Sequence, residues 1–241
     1  MKVLITDNIN KCVKDIISET AEAVFLPTMS EEEIIKIIGE YDALMVRSQT
    51  KVNRNIIESG KKLKIIGRAG VGVDNIDVNS ATEKGIIVVN SPDGNTIAAS
   101  EHTIALMLAI SRNIVPASQS TKEGKWNRDA FTGTELFGKT LGVMGFGRIG
   151  RKVVNIALSI GMKVIVYDPF ANEEMVNKKG ALYETSLDNF LKTLDYLSIH
   201  IPKTSDTINI INKENINKMK KGAIIINCSR GGLVNENDLK E

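Results

Sequence analysis

Short apolar runs alternate with helical periodicity along almost the whole chain, and that alternation dictates parallel sheets. Lys2–Thr6 reads as a buried strand, followed by a helix through Val13, Ile16 and Ile17 and a second strand at Ala23–Leu26. Ser30-Glu-Glu-Glu33 is a capping box, in which the serine hydroxyl accepts from first-turn amides and Glu33 reaches back. The helix it opens is apolar at Ile34, Ile35, Ile37 and Ile38, and further strands are expected at Ala43–Val46, Lys64–Ile66 and Ile86–Val89. Strands separated by helices pair side by side through right-handed crossovers. The pattern predicts a small doubly wound α/β domain ending near Val89.

Asn90-Ser-Pro-Asp-Gly-Asn95 is rich in turn formers and reads as a crossing between domains. A long helix is expected after it, from Thr96 to about Val115, stopped by Pro116. Its apolar residues cover more than one face, so it needs partners on both sides, supplied by a second subunit or by the same chain. From Thr140 the alternation resumes: strand Leu141–Met144, helix Arg148–Ser159, strand Lys163–Tyr167, a short helical stretch, strand Tyr196–Ile199, helix Lys213–Met219 and strand Ala223–Ile226. A final helix starts near Asn235, and the chain stops inside it at Glu241. At 241 residues there is room for two cores of the usual ~100–150 residues. The boundaries expected are 1–93 and 94–241.

Gly145-Phe-Gly-Arg-Ile-Gly150 has the spacing GxGxxG, which alone is weak. Here it directly follows an apolar strand, opens an amphipathic helix, and precedes a second strand ending in Asp168, 18 residues after the last glycine. Gly145 suits a tight turn, Gly147 lets a pyrophosphate approach the backbone, and Gly150 lets helix and strand pack closely. Free amides and the helix dipole favour the anion at that point. Asp168 would accept from ribose hydroxyls, and its charge selects NAD. A 2′-phosphate ~4 Å away would be repelled by about 1–4 kcal/mol, and Pro169 and Phe170 offer no cation to receive it. A structural glycine turn in another α/β fold is the competing reading.

Other function classes find little support. Basic residues number 31 and acidic ones 29, interspersed, so no single-sign field addresses nucleic acid or an anionic membrane. Cys12 and Cys228 cannot build a disulfide framework, which points to a reducing cytoplasm. The longest apolar run, Ile104–Ile110, is far short of the ~20 residues that span a bilayer. Asp7 arrives too early for a secretory leader. A soluble intracellular protein is expected.

Leu141 through Asp168 resembles the nucleotide signature of the D-2-hydroxyacid dehydrogenases, and Met219–Asn235, with its Asn-Cys-Ser-Arg-Gly-Gly core, resembles their arginine-bearing signature. Val46-Arg-Ser-Gln-Thr50, Gly67–Asn75 and Gly124-Lys-Trp126 are similar to the phosphoglycerate dehydrogenase branch of that family. The likeness covers essentially the whole chain. It implies a flavodoxin-like substrate domain followed by a Rossmann NAD domain, both doubly wound parallel sheets, and hydride transfer between NAD and a small 2-hydroxy acid. It implies that Arg230 binds the carboxylate and carbonyl side of the 2-oxo acid and polarises its C2 oxygen, work for which a planar charged fork is suited. The amides around Gly70, Val71 and Gly72 would form a nest for the substrate carboxylate. Arg47 and Arg68 would approach the substrate or its phosphate. Arg148 and Ile149 would lie on the pyrophosphate, and Val71, Ile201, Cys228, Ser229 and Arg230 would also contact the cofactor. An exposed surface charge is the competing reading for Arg230 and Arg47, and a plain backbone turn for Gly70 and Gly72.

The chain departs from the family at the proton chemistry. The acid/base histidine and its glutamate partner would fall beyond position 241, so residues 1–241 by themselves are expected to be poorly stable and inactive. The two histidines present, His102 and His200, read as a structural or interface residue and as a residue on the adenosine side. The Thr96–Val115 helix and Trp126 suggest a homodimer. Another 2-hydroxy acid, of the glycerate, lactate or glyoxylate type, is the second functional reading, and an NAD-gated dimeric interaction protein the third.

Overall fold

The computed structural model describes residues 1–10, 12–27 and 29–241. They form two compact units, Met1–Asn95 and Thr96–Glu241.

In the first unit, strands β1 (Lys2–Ile5), β2 (Glu22–Phe25), β3 (Ala43–Val46), β4 (Ile65–Arg68) and β5 (Ile87–Asn90) alternate with helices α1 (Cys12–Ser18), α2 (Glu31–Ile37), α3 (Arg54–Ser59) and α4 (Val78–Glu83). All pairs are parallel, in the order β2-β1-β3-β4-β5. That is the flavodoxin-like order, reversing between β1 and β3. Strand alternation feeds two cores. Leu4, Leu44 and Ile66 face Ile34, Ile38, Ile56 and Ile57 on one side, and Val3, Ile5 and Ala43 pack with Val13 and Ile17 on the other. Burying each such side chain contributes about 1.5–3 kcal/mol. The capping box holds: Glu33 N–H donates to the Ser30 hydroxyl and Ser30 N–H to the Glu33 carboxylate.

The second unit opens with α5 (Thr96–Ser111) and α6 (Ile114–Lys122). Here the structure corrects the expected single helix to Val115. The break falls at Arg112–Asn113, where Asn113 adopts a left-handed conformation (φ 53) and precedes α6. Pro116 therefore lies in the first turn of a helix rather than beyond the end of one. First-turn amides have no intrahelical acceptor, so proline costs little there. The buried face of α5 is Ser100, Thr103, Ile104, Met107 and Ser111. Its hydroxyls can be buried because they donate back to the helix, Ser100 to Thr96 O, Thr103 to Ala99 O and Ser111 to Met107 O.

The sheet follows: β6 (Thr140–Met144), α7 (Arg148–Ser159), β7 (Lys163–Tyr167), α8 (Glu173–Lys178), β8 (Leu182–Tyr183), α9 (Leu187–Lys192), β9 (Tyr196–Ile199), α10 (Lys213–Lys218), β10 (Ile224–Asn227) and α11 (Glu236–Lys240). The one helical stretch expected between β7 and β9 is two helices with the two-residue β8 between them. The parallel order is β10-β9-β6-β7-β8, the doubly wound arrangement of a Rossmann unit, reversing between β6 and β9. Among the described residues no helix is long and apolar enough to cross a membrane.

Candidate functional site

Open α/β sheets bind ligands beyond the carboxyl ends of their strands, where the strand order reverses. In the second unit that point lies after β6 and β9. Gly145 turns there with φ 99, and a Cβ on it would stand 2.8 Å from the carbonyl of His200. Asp168, after β7, accepts from Phe146 N–H at 2.7 Å with one oxygen and from Phe170 N–H at 2.9 Å with the other. Each oxygen keeps a lone pair for a further donor. Gly147 caps α7 with ordinary φ (−72), and no heavy atom lies within 4 Å of where its Cβ would be. Gly150 differs, because a Cβ there would overlap the carbonyl oxygen of Gly145. Exposed Arg148 and half-buried Ile149 are the first two residues of α7, whose first-turn amides point out of the helix.

Half-buried Ile201 follows β9, and Cys228, Ser229 and Arg230 follow β10. The structure brings them together: Ser229 Oγ donates to Ile201 O at 2.7 Å. Asn227 Nδ2 holds Arg230 O at 2.9 Å, and Arg230 Nη1 donates to Ser229 O at 2.9 Å. Cys228, Ser229 and Arg230 line an open cavity of about 550 Å³ together with His102 and Glu236. His200 lies within hydrogen-bonding distance (2.7 Å) of the Ser198 hydroxyl through Nε2, and burial pushes its pKa down to about 4.

In the first unit the reversal lies after β1 and β3. Arg47 is exposed just past β3, and Arg68 ends β4 paired with Val46, so both arginines sit on one carboxyl edge. The Arg68 guanidinium occupies the space a Cβ on Gly70 would need. Gly70 N–H donates to Arg68 O at 2.8 Å, which leaves the proposed anion nest to Val71 and Gly72. That loop is pinned by Asn90 Nδ2 on Val71 O (2.5 Å) and by Ser91 N–H on Gly70 O (2.9 Å).

The family model for the D-isomer specific 2-hydroxyacid dehydrogenase NAD binding domain matches residues 104–241, more than half of the chain and nearly all of the second unit. The chain belongs to that family. The open space at Gly147, the outward amides of α7 and the two carboxylate oxygens of Asp168 fit a dinucleotide. A D-3-phosphoglycerate dehydrogenase of Synechocystis is 52% identical over 99% of this chain and 43% of its own length, so the chain spans less than half of that relative. A hydroxypyruvate reductase of Thermotoga maritima is 49% identical over 88% of this chain and 68% of its own. Among solved structures, Aquifex aeolicus D-lactate dehydrogenase complexed with NAD and lactic acid aligns with TM-score 0.89 and 31% identity, covering 99% of this chain and 72% of that one.

Several groups that shape these 2-hydroxyacid dehydrogenase edges carry no motif. Arg151 donates through Nε to Phe146 O at 2.9 Å and lies over the Phe146 ring, stiffening the glycine loop from the next turn of α7. Its sequence signal is only a cation five residues after Phe146. Tyr183 OH donates to Asp168 O from β8, a strand the sequence does not announce.

Proposed function

We propose that the protein oxidises D-3-phosphoglycerate to 3-phosphohydroxypyruvate with NAD, the entry step of serine biosynthesis, in the cytoplasm. The amides of Gly147, Arg148 and Ile149 would hold the pyrophosphate and Asp168 the ribose hydroxyls, with Gly145, Ile201, Cys228 and Ser229 as walls. Bound NAD would supply the hydride acceptor. Arg230 would hold the acid's carboxylate, stabilise negative charge on the C2 oxygen before the hydride leaves C2, and polarise the C2 carbonyl in the reverse direction. Val71 and Gly72 amides would hold the carboxylate, and Arg47 and Arg68 the phosphate. Among the described residues neither histidine is bonded to a carboxylate, and His200 is already engaged with Ser198, so no proton transfer is assigned to either.

The observation that carries the reading is the pairing of an NAD-type glycine edge with the self-tied Arg230 turn in one unit, beside 52% identity to a D-3-phosphoglycerate dehydrogenase. The test is NADH oxidation by the full-length protein with 3-phosphohydroxypyruvate, hydroxypyruvate, pyruvate and glyoxylate in turn. The first should show the highest kcat/KM, and preference for another acid would reject this substrate. Reduction of hydroxypyruvate in its place is the second reading, favoured by the Thermotoga maritima relative. We also propose a homodimer. Trp126 is 87% exposed rather than buried within the subunit, and α5 exposes Ile97 and Leu108 on one flank of its buried stripe and Leu106 and Ile110 on the other.

A further inference from the structure

Among the described residues one carboxylate is buried almost completely, at the reversal point of the first unit. Asp7 follows β1, is 1% exposed, and has φ 60 in the left-handed region. A buried carboxylate is costly unless its lone pairs are filled. Here they are filled from a single loop, the one that carries Arg47. Asp7 accepts from Arg47 N–H (2.7 Å), Gln49 N–H (3.2 Å) and Thr50 N–H (3.0 Å), and also from the Thr50 hydroxyl. The Thr6 hydroxyl meets that of Thr50 at 3.1 Å.

The carbonyls of the same loop are held from the other side. Asn75 Nδ2 donates to Arg47 O at 2.8 Å and to Thr50 O at 2.6 Å, and Asn75 O accepts from Val52 N–H at 2.7 Å. Asn75 closes the Gly70–Asn75 loop, so one amide ties the arginine loop to the glycine loop. Amides are held by Asp7 and carbonyls by Asn75, while the Arg47 side chain stays exposed. Rigid backbone under a flexible side chain lowers the ordering cost when an anion binds.

Resting on the reading of Arg47 as a contact to the acid, we propose that Asp7 and Asn75 are positioning residues that set Arg47 and the glycine loop in register for an anionic 2-hydroxy acid. Neither residue touches the acid; each acts through the loop. Asp7→Asn keeps the shape but turns an amide N–H toward backbone donors. Thr50→Val removes the hydroxyl at constant volume, and Thr50→Ser restores it.

The test is steady-state kinetics of the full-length protein with 3-phosphohydroxypyruvate and NADH. Asp7→Asn, Asn75→Ala and Thr50→Val should each raise KM on the order of tenfold with kcat within about twofold. Thr50→Ser should return KM to near the wild-type value, and the Kd for NADH should be unmoved throughout. The deciding arm is the pair with Arg47→Ala: if Asp7 acts through Arg47, adding Asp7→Asn to Arg47→Ala should raise KM by less than about twofold further. A full additional tenfold overturns the proposal, as does an unchanged KM in Thr50→Val. Should Asp7→Asn fail to fold, Thr50→Val against Thr50→Ser, each alone and with Arg47→Ala, decides it. A wild type that turns over no 2-oxo acid defeats the functional reading itself and the proposal with it, whereas an active wild type with additive variants defeats the proposal alone.

Discussion

The two units reverse their strand order in the same way and furnish the resulting edge by opposite means. After β6 the second unit strips side chains away: Gly145 clears the His200 carbonyl, Gly147 stands in open space, and Gly150 lets α7 sit on the Gly145 carbonyl. After β1 the first unit places a buried carboxylate, Asp7, whose charge faces backbone amides. A pyrophosphate held by helix amides must come close to the main chain, so bare backbone is required. Asp7 fills the edge after β1, and the arginines of the first unit stand at the neighbouring strand ends, Arg47 just past β3 and Arg68 closing β4. The same topology thus yields one edge cleared of side chains and one whose charged side chains stand on a tied main chain.

The sharpest test asks to which side Arg230 belongs. If it serves the acid, Arg230→Ala should cut kcat/KM by about 10²–10³-fold with NADH affinity within about twofold. A matching loss of NADH affinity would move Arg230 to the cofactor side.

Next in size is a pH effect at the nucleotide edge, where the buried titratable group is an imidazole. His200 has its pKa lowered to about 4 by burial, against 6.5 ordinarily. The folded state therefore resists a proton that the unfolded chain accepts. Stability is complete above about pH 6.5 and is lost as pH falls toward 4, by up to about 3 kcal/mol at the limit. The difference in unfolding midpoint between wild type and His200→Gln, measured at pH 7.5 and pH 5, should shift in favour of the variant at pH 5. A pH-independent difference would show that the ring binds its proton equally well in the folded and unfolded chains and is not shifted by burial.

The glycines separate packing from binding. Gly150→Ala must displace the Gly145 carbonyl and should cost about 1–3 kcal/mol in denaturant unfolding. Gly147→Ala should leave that midpoint nearly unchanged and weaken NADH about tenfold. Equal destabilisation by the two would remove the distinction drawn between them. An effect of the same size is expected at Asp168, where replacement by alanine should lower the preference for NAD over NADP by about tenfold. A wild type that prefers NADP would reject the ribose assignment.

Much of the second unit is legible because its signals are local. The helix Arg148–Ser159 and the strand Lys163–Tyr167 are read with the bounds the structure shows. β8 is not legible, since two residues in one edge pairing leave no periodicity to detect. The break between α5 and α6 escapes because it rests on Asn113 taking a left-handed conformation, while Pro116 draws attention to the wrong residue. The roles of Asp7 and Asn75 escape for a different reason: their partners lie 23 to 43 residues away in the chain.

From the sequence alone follow the alternation of strands and helices, the capping box and the glycine turn with its acid after the next strand. Each depends on residues within a few turns or on one βαβ unit, where local sterics and hydrophobic periodicity suffice. Tertiary structure alone places β3 beside β1, and thereby Asp7 under the amides of Arg47, Gln49 and Thr50. It also lays the Ser229 hydroxyl on the Ile201 carbonyl and points Trp126 into solvent. Those contacts exist only once strand order brings distant carboxyl ends to one edge, and no short window of sequence encodes that order.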